Sequence, residues 1–147
     1  MKLQVWFRSL KVIEMIEGID HIGVAVKNLD EALEKYRDAF GLEVYEKREM
    51  VDQKVEIVAL KVSDVKIELL KPTSDESTVQ KFIVRRGEGI YHLAFKVKAP
   101  LERFVEKLKE KGIKPITDKP SVGFEGKKII FLHPKTTNGV LIELVEH

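Results

Sequence analysis

A nine-residue pattern occurs twice in this chain, as GIDHIGVAV from Gly18 to Val26 and GIYHLAFKV from Gly89 to Val97. The offset of 71 residues sets His21 in register with His92 and carries Gly41 onto Gly112, each glycine closing an amphipathic stretch twenty residues after its histidine. A further echo ends each copy, KIELL around Glu68 and LIELV around Glu143, offset by 75 because the second copy carries four more loop residues. A duplication of this length constrains the fold strongly: each copy must be one supersecondary unit, and equivalent positions become comparable within a single chain.

Within each copy the periodicity predicts a strand, a helix and three further strands. Ile22, Val24 and Val26 alternate with His21, Gly23 and Ala25, the period of two that separates the faces of a strand. A helix then runs from an Asn28 or Asp30 cap through Leu29, Leu33, Tyr36 and Phe40 to Gly41. The second copy repeats it with Leu101, Phe104, Val105 and Leu108 before Gly112. Strand-like runs follow at 44–50, 55–62 and 66–70, and then around Ile116, at 128–132 and at 140–145. Between the copies a linking helix over about 75–86 starts at a Ser74 or Asp75 cap, buries Val79, Phe82 and Ile83, and ends near Gly87.

Strand alternation also predicts where the polar groups point. With Ile22, Val24 and Val26 packed on the helix, His21 shares its face with only Gly23 and Ala25, and small neighbours leave a hollow there. Glu68 opposes Ile67 and Leu69, Glu143 opposes Ile142 and Leu144, and His92 shares its face with Ala94. A lone strand histidine is ordinarily a satisfied core or surface residue, and a lone strand glutamate ordinarily faces solvent. Here two histidines and two glutamates stand at two pairs of equivalent positions. Such a set suits a divalent ion that accepts mixed nitrogen and oxygen ligands, such as cobalt, nickel, manganese, iron or zinc. The expected fold class is α+β: two paired βαβββ modules, 18–72 and 89–147, within one domain of residues 18–147, forming a curved mixed sheet around a metal-binding cup.

Composition narrows the partners. A chain of 147 residues with 44% hydrophobic content is long enough for one core, and a net charge of +2 with interspersed Lys and Glu gives no footprint for nucleic acid. There is no Cys, so thiolate metal sites and a Cys nucleophile are excluded. Charged residues at 34% follow the direction of thermophilic chains. Residues 1–17 lie outside the repeat; they lack the uninterrupted apolar core of a signal peptide, and no stretch is long enough to span a membrane. We read them as an ordered N-terminal extension and the protein as cytoplasmic.

The segments GIDHIGVAVKNLDEALEKYRDAFGLE, DESTVQKF, GIYHLAF and above all FLHPKTTNGVLIEL resemble methylmalonyl-CoA epimerases of the vicinal oxygen chelate superfamily, over about residues 16–146. The resemblance implies paired βαβββ modules and a metal held by two histidines and a glutamate of the C-terminal strand, matching His21, His92 and Glu143. A fourth ligand position, Gln in some members, falls on Glu68 and adds negative charge. A carboxylate off the metal, in a V-E-I segment, falls on Glu56, which interrupts VEIVALKV on the face shared with Val58 and Leu60.

The chemistry so implied is epimerisation of an acyl-CoA thioester at C2. A proton α to a thioester is too weakly acidic for an unaided carboxylate, so the enolate needs a divalent ion, and inversion needs two acid/base groups, for which Glu56 and Glu143 are the candidates. A homodimer is also implied. The alternative within the superfamily is glyoxalase I, whose His, Glu, His, Glu ligands suit Glu68, although such enzymes tend to read DPDG where this chain has HPKTTNG. A ring-cleaving dioxygenase would ordinarily need a longer chain. A metal-free small-molecule-binding module of the same fold is opposed by four intact ligand candidates.

Overall fold

A computed structural model describes residues 15–147. The expected extension therefore lies, except for its last three residues, outside the described residues. The first copy comprises strand β1 (Ile16–Ala25), a short helix α1 (Leu29–Leu33) running into a π-helical segment (Glu34–Ala39), and strands β2 (Glu43–Met50), β3 (Val55–Val62) and β4 (Val65–Pro72). Helix α2 (Thr78–Arg86) links it to the second copy: β5 (Gly89–Val97), α3 (Leu101–Glu110), β6 (Ser121–Val122), β7 (Lys128–Leu132) and β8 (Ile142–Glu146), with a 3-10 turn at Pro134–Thr136. Each copy is thus a βαβββ module.

Two compact units emerge, one of residues Asp20–Ala94 and the other of Phe95–His147 with the described residues up to Ile19. Their boundaries cut through β1 and β5, a little past the points where the repeats begin, Gly18 within β1 and Gly89 at the start of β5. In the first unit the strands are hydrogen-bonded in the order β2-β3-β4-β1-β5, and in the second β8, β7 and β6 neighbour one another in that order. The β1–β4 pairing is parallel and the β2–β3 and β3–β4 pairings are antiparallel.

Each unit has its own core, built on the strand face that the alternation assigns to the helix. In the first, Val26, Val58, Leu60 and Leu69 pack with Leu29, Ala32 and Leu33 of α1, and Val24 and Ile67 lean against them. In the second, Val97, Ile130, Leu132 and Leu144 pack with Leu101, Phe104 and Val105 of α3. Leu60 and Leu69 are fully buried, each contributing about 1.5–3 kcal/mol relative to an exposed side chain.

Local chemistry explains the ends of the helices. Asn28 caps α1, its Oδ1 accepting from the Glu31 amide at 3.0 Å. Gly41 and Gly112 lie just past the first-copy helical segment and α3 with φ of 76° and 83°, the left-handed turn-off that glycine takes without a Cβ penalty. The cap of α2 is Ser77 rather than Ser74 or Asp75: Ser77 is buried with its hydroxyl accepting from the Val79 amide, while Ser74 closes a local turn to the Glu76 amide. Two further departures concern the predicted helix and strand. The expected α-helix up to Phe40 widens after Leu33, where the Phe40 amide bonds the Lys35 carbonyl five residues back. The strand expected around Ile116 reduces to one bridge, Pro115 to Leu132, with β6 lying farther on.

Candidate active site

The polar face of the first unit is set by register. Gly23 of β1 pairs with Glu68 of β4, which pairs with Ala59 of β3, so these three residues stand in one row on the face opposite Leu69 and Val58. His21, two residues before Gly23, shares that face. Small residues on either side of Glu68 leave room, and a histidine occupies part of it. A Cβ placed on Gly23 would lie 2.5 Å from Cε1 and 2.7 Å from Nδ1 of His92, so the His92 imidazole rests against the bare backbone of β1. Glycine is required there for space, since its φ is not positive.

His21 and His92 are buried, with their Nε2 atoms 2.8 Å apart and their rings edge to face. On the other side of the His21 ring, Nδ1 lies 2.6 Å from Oδ2 of Asp20 and 3.4 Å from Oε2 of Glu68, and Lys66 Nζ lies 3.6 Å from the same Asp20 oxygen. Asp20 and Glu68 are themselves buried. A carboxylate at Nδ1 favours the tautomer with the proton on Nδ1, leaving the Nε2 lone pair directed toward His92. Asp20, His21 and Glu68 offer ligand atoms within 4.8 Å of one another. Glu68 therefore approaches the ring nitrogen remote from His92.

Sequence reasoning missed Asp20, because strict alternation sends a residue adjacent to His21 to the opposite face. The only available signal was its place in GIDHIGVAV beside the histidine, where the second copy has Tyr91.

Glu143 lies in the second unit. It pairs with Phe131 of β7, is buried, and stands on the strand face opposite Ile142 and Leu144, which pack toward α3. That is the orientation its alternation predicts.

Glu56 behaves otherwise. It pairs with Lys71 and with Glu49, and it shares its face with Val58 and Leu60, which pack against α1. The face bearing His21, Gly23 and Glu68 receives Val55, Ile57 and Ala59 from β3 instead. The expectation that Glu56 points at the ligand residues is corrected: side chains one residue apart on a strand leave on opposite sides, and Glu56 is one residue out of phase.

Comparison with known proteins places this geometry in context. The family described as Glyoxalase/Bleomycin resistance protein/Dioxygenase superfamily matches residues 20–131. A mitochondrial methylmalonyl-CoA epimerase of Dictyostelium discoideum is 35% identical over 132 residues, covering 89% of this chain and 79% of that protein. The crystal structure of methylmalonyl-CoA epimerase from Mycobacterium tuberculosis superposes with a TM-score of 0.85 at 36% identity, covering 90% of this chain and 89% of that one. A Streptomyces coelicolor methylmalonyl-CoA epimerase variant in complex with 2-nitronate-propionyl-CoA gives a TM-score of 0.85 at 37% identity, with coverage of 89% and 97%.

Proposed function

We infer that this chain, which belongs to the methylmalonyl-CoA epimerase family of the Glyoxalase/Bleomycin resistance protein/Dioxygenase superfamily, epimerises methylmalonyl-CoA at C2. The observation that carries the reading is the pair of buried imidazoles facing one another through Nε2 at 2.8 Å beside Gly23. Two nitrogens bound to one ion at about 2.0–2.1 Å would themselves be about 2.9 Å apart when they meet at a right angle, so the donor pair fits a metal. We propose that His21, His92, Glu68 and Glu143 hold one divalent ion, with Glu143 taken from its buried position on the helix-remote face of β8 and its equivalence to Glu68 in the repeat, and with the Glu68 carboxylate, which lies 3.4 Å from His21 Nδ1, turning toward the Nε2 side when the ion binds. Cobalt is placed first among the candidates.

Bound there, such an ion supplies Lewis-acid stabilisation of the charge that develops on the thioester oxygen, worth several kcal/mol. The protein's own residues do the rest. Asp20 holds His21 by its Nδ1–H and aims Nε2 at the ion, and Lys66 balances the charge of Asp20. Glu143 is proposed as one of the two acid/base groups that inversion demands. Glu56, on the α1 side of its strand, is not retained as the other.

The curated relatives named for their reaction act on methylmalonyl-CoA, which favours epimerisation over the glyoxalase I alternative. Among the described residues no helix is long and apolar enough to cross a membrane. A homodimer, a cytoplasmic location and action as one domain over 18–147 complete the proposal. Incubation of the purified protein with one epimer of methylmalonyl-CoA in deuterated water tests it: deuterium should enter C2 as the other epimer forms, in a reaction lost on metal stripping and restored by a divalent ion. Unlabelled, unconverted substrate refutes the reading.

A further inference from the structure

We infer that Glu46 is the second acid/base group, the one that stands off the metal; the inference rests on the epimerase reading above. The first sign is an inversion of burial along β2. This edge strand is exposed throughout except at Glu46 and Met50, and the carboxylate-bearing Glu46 is more covered than its neighbours Val44 and Tyr45, which are 37% and 43% exposed. Water solvates a carboxylate far better than an aliphatic or aromatic group, so an edge strand left to solvation alone would show the reverse.

The cause is a bulge. Val44 pairs with Leu60, yet Glu46 pairs with Ala59, so Tyr45 is an inserted residue. Uninterrupted alternation would pair Glu46 with Val58 and turn it toward α1. The extra residue re-aims it to the other face, the use that bulges commonly have beside active sites. Glu46 thereby joins the row of Ala59, Glu68 and Gly23, one residue from each of four adjacent strands on the face that carries His21. Ala59 is the only side chain in that row between Glu46 and Glu68. At a strand spacing of about 4.8 Å the backbones of Glu46 and Glu68 are about 10 Å apart, which keeps Glu46 out of the coordination shell and leaves space for a small acyl group between them.

The carboxylate is also chemically available. Its Oε2 is buried and lies 2.8 Å from the Arg48 guanidinium, but without hydrogen-bond geometry, so that oxygen accepts no hydrogen bond among the described residues. A covered oxygen with unused acceptor capacity, steadied by a charge two residues along the same face, is a sound acceptor for a carbon-bound proton.

The reaction balances with two carboxyl groups. Glu46 as carboxylate removes the C2 proton of one epimer; the C2–H bond breaks, and its electron pair moves into the C1–C2 bond with the charge on the thioester oxygen. Glu143 as the acid delivers a proton to the opposite face, and C2–H re-forms inverted. One proton leaves and one arrives, and exchange with solvent resets both groups.

The test sets Glu46→Gln beside Glu56→Gln in the full-length, metal-loaded protein, measuring metal content, epimerisation, and C2 exchange in deuterated water from each epimer separately. Glu46→Gln should lower epimerisation by about 10²-fold or more with metal content unchanged, and should still exchange the C2 proton of one epimer, the one that Glu143 serves. Glu46→Asp should recover part of the loss, which a merely structural role for the side chain would not predict. Glu56→Gln should behave as wild type. Full epimerase activity in Glu46→Gln overturns the assignment while leaving the epimerase reading intact. A wild-type protein that neither exchanges nor epimerises overturns that reading itself, and with it any role for Glu46 as its base.

Discussion

In the first copy of the repeat Val24, Ile67 and Leu69 turn toward α1 while His21 and Glu68 take the other face; in the second, Phe95, Ile142 and Leu144 turn toward α3 while His92 and Glu143 do the same. Around this shared plan the copies diverge. His21 has Asp20 at its Nδ1, whereas the equivalent of Asp20 is Tyr91, whose hydroxyl donates to Thr78. Gly23 follows His21 by two positions where Ala94 follows His92. The second strand of the first copy has eight residues and a bulge; that of the second has two, Ser121 and Val122, both exposed. The proposed ligand positions therefore follow the duplication, whereas Asp20, Gly23 and the β2 bulge belong to the first copy alone.

The largest expected effect comes from cutting what the copies share. His21→Ala and His92→Ala should each abolish retention of the divalent ion after gel filtration, together with epimerase activity. Equal metal content in either variant would remove the facing imidazoles from the site.

Next comes the asymmetry at Gly23. Gly23→Ala puts a methyl 2.5 Å from His92 Cε1, so the imidazole must shift, and a misplacement of about 1 Å at a catalytic group costs on the order of 10²-fold in turnover. Ala94→Gly, its counterpart, should leave turnover near wild type while costing about 0.5–1 kcal/mol of stability as a strand glycine. Equal kinetic losses from the two substitutions would show that space above β1 is not what Gly23 provides.

The Nδ1 side of His21 follows. Asp20→Asn keeps the shape but weakens the hold on Nδ1–H, and loss of such an outer partner lowers metal affinity by about 10–100-fold. Competition with a chelating dye measures this without any turnover. Tyr91→Phe, at the equivalent position, should leave the affinity unchanged. An Asp20→Asn protein with wild-type affinity assigns Asp20 to folding alone.

These contrasts also show what a sequence can disclose. Wherever strands run without interruption, period-two alternation assigned faces correctly: Glu68 and Glu143 oppose their aliphatic neighbours, and the hollow beside Gly23 holds His92. Register is where the pattern stops being informative, since a one-residue shift reverses every side chain beyond it. Nothing in EVYEKREM marks Tyr45 as inserted, so the sequence offers no sign of where Glu46 points, whereas VEIVALKV runs straight and its own alternation already put Glu56 with Val58 and Leu60. Asp20 was invisible for a related reason: a carboxylate next to the ring reaches Nδ1 by bending round the backbone, which a two-face picture of the strand leaves out.

The smallest effect concerns how each copy satisfies the first turn of its helix. In α1 the cap is local, Asn28 Oδ1 accepting from the Glu31 amide at 3.0 Å. In α3, Pro100 offers no side-chain cap, and the Leu101 amide donates instead to Oε2 of Glu146, 45 residues away on β8, at 2.9 Å. Asn28→Ala removes an acceptor and should cost about 1 kcal/mol, lowering the melting temperature by about 2–4 °C for a chain of this size. Glu146→Gln keeps an acceptor and loses only the charge facing the helix N-terminus, so its cost should be smaller, about 0.3–1 kcal/mol at low ionic strength. Because that residual term is electrostatic and half-exposed, molar salt should shrink it, while leaving the Asn28→Ala cost in place. Urea unfolding of both variants at low and high salt reads the difference, and a Glu146→Gln penalty that exceeds that of Asn28→Ala or survives molar salt would mean that Glu146 supports its unit through something other than the α3 terminus.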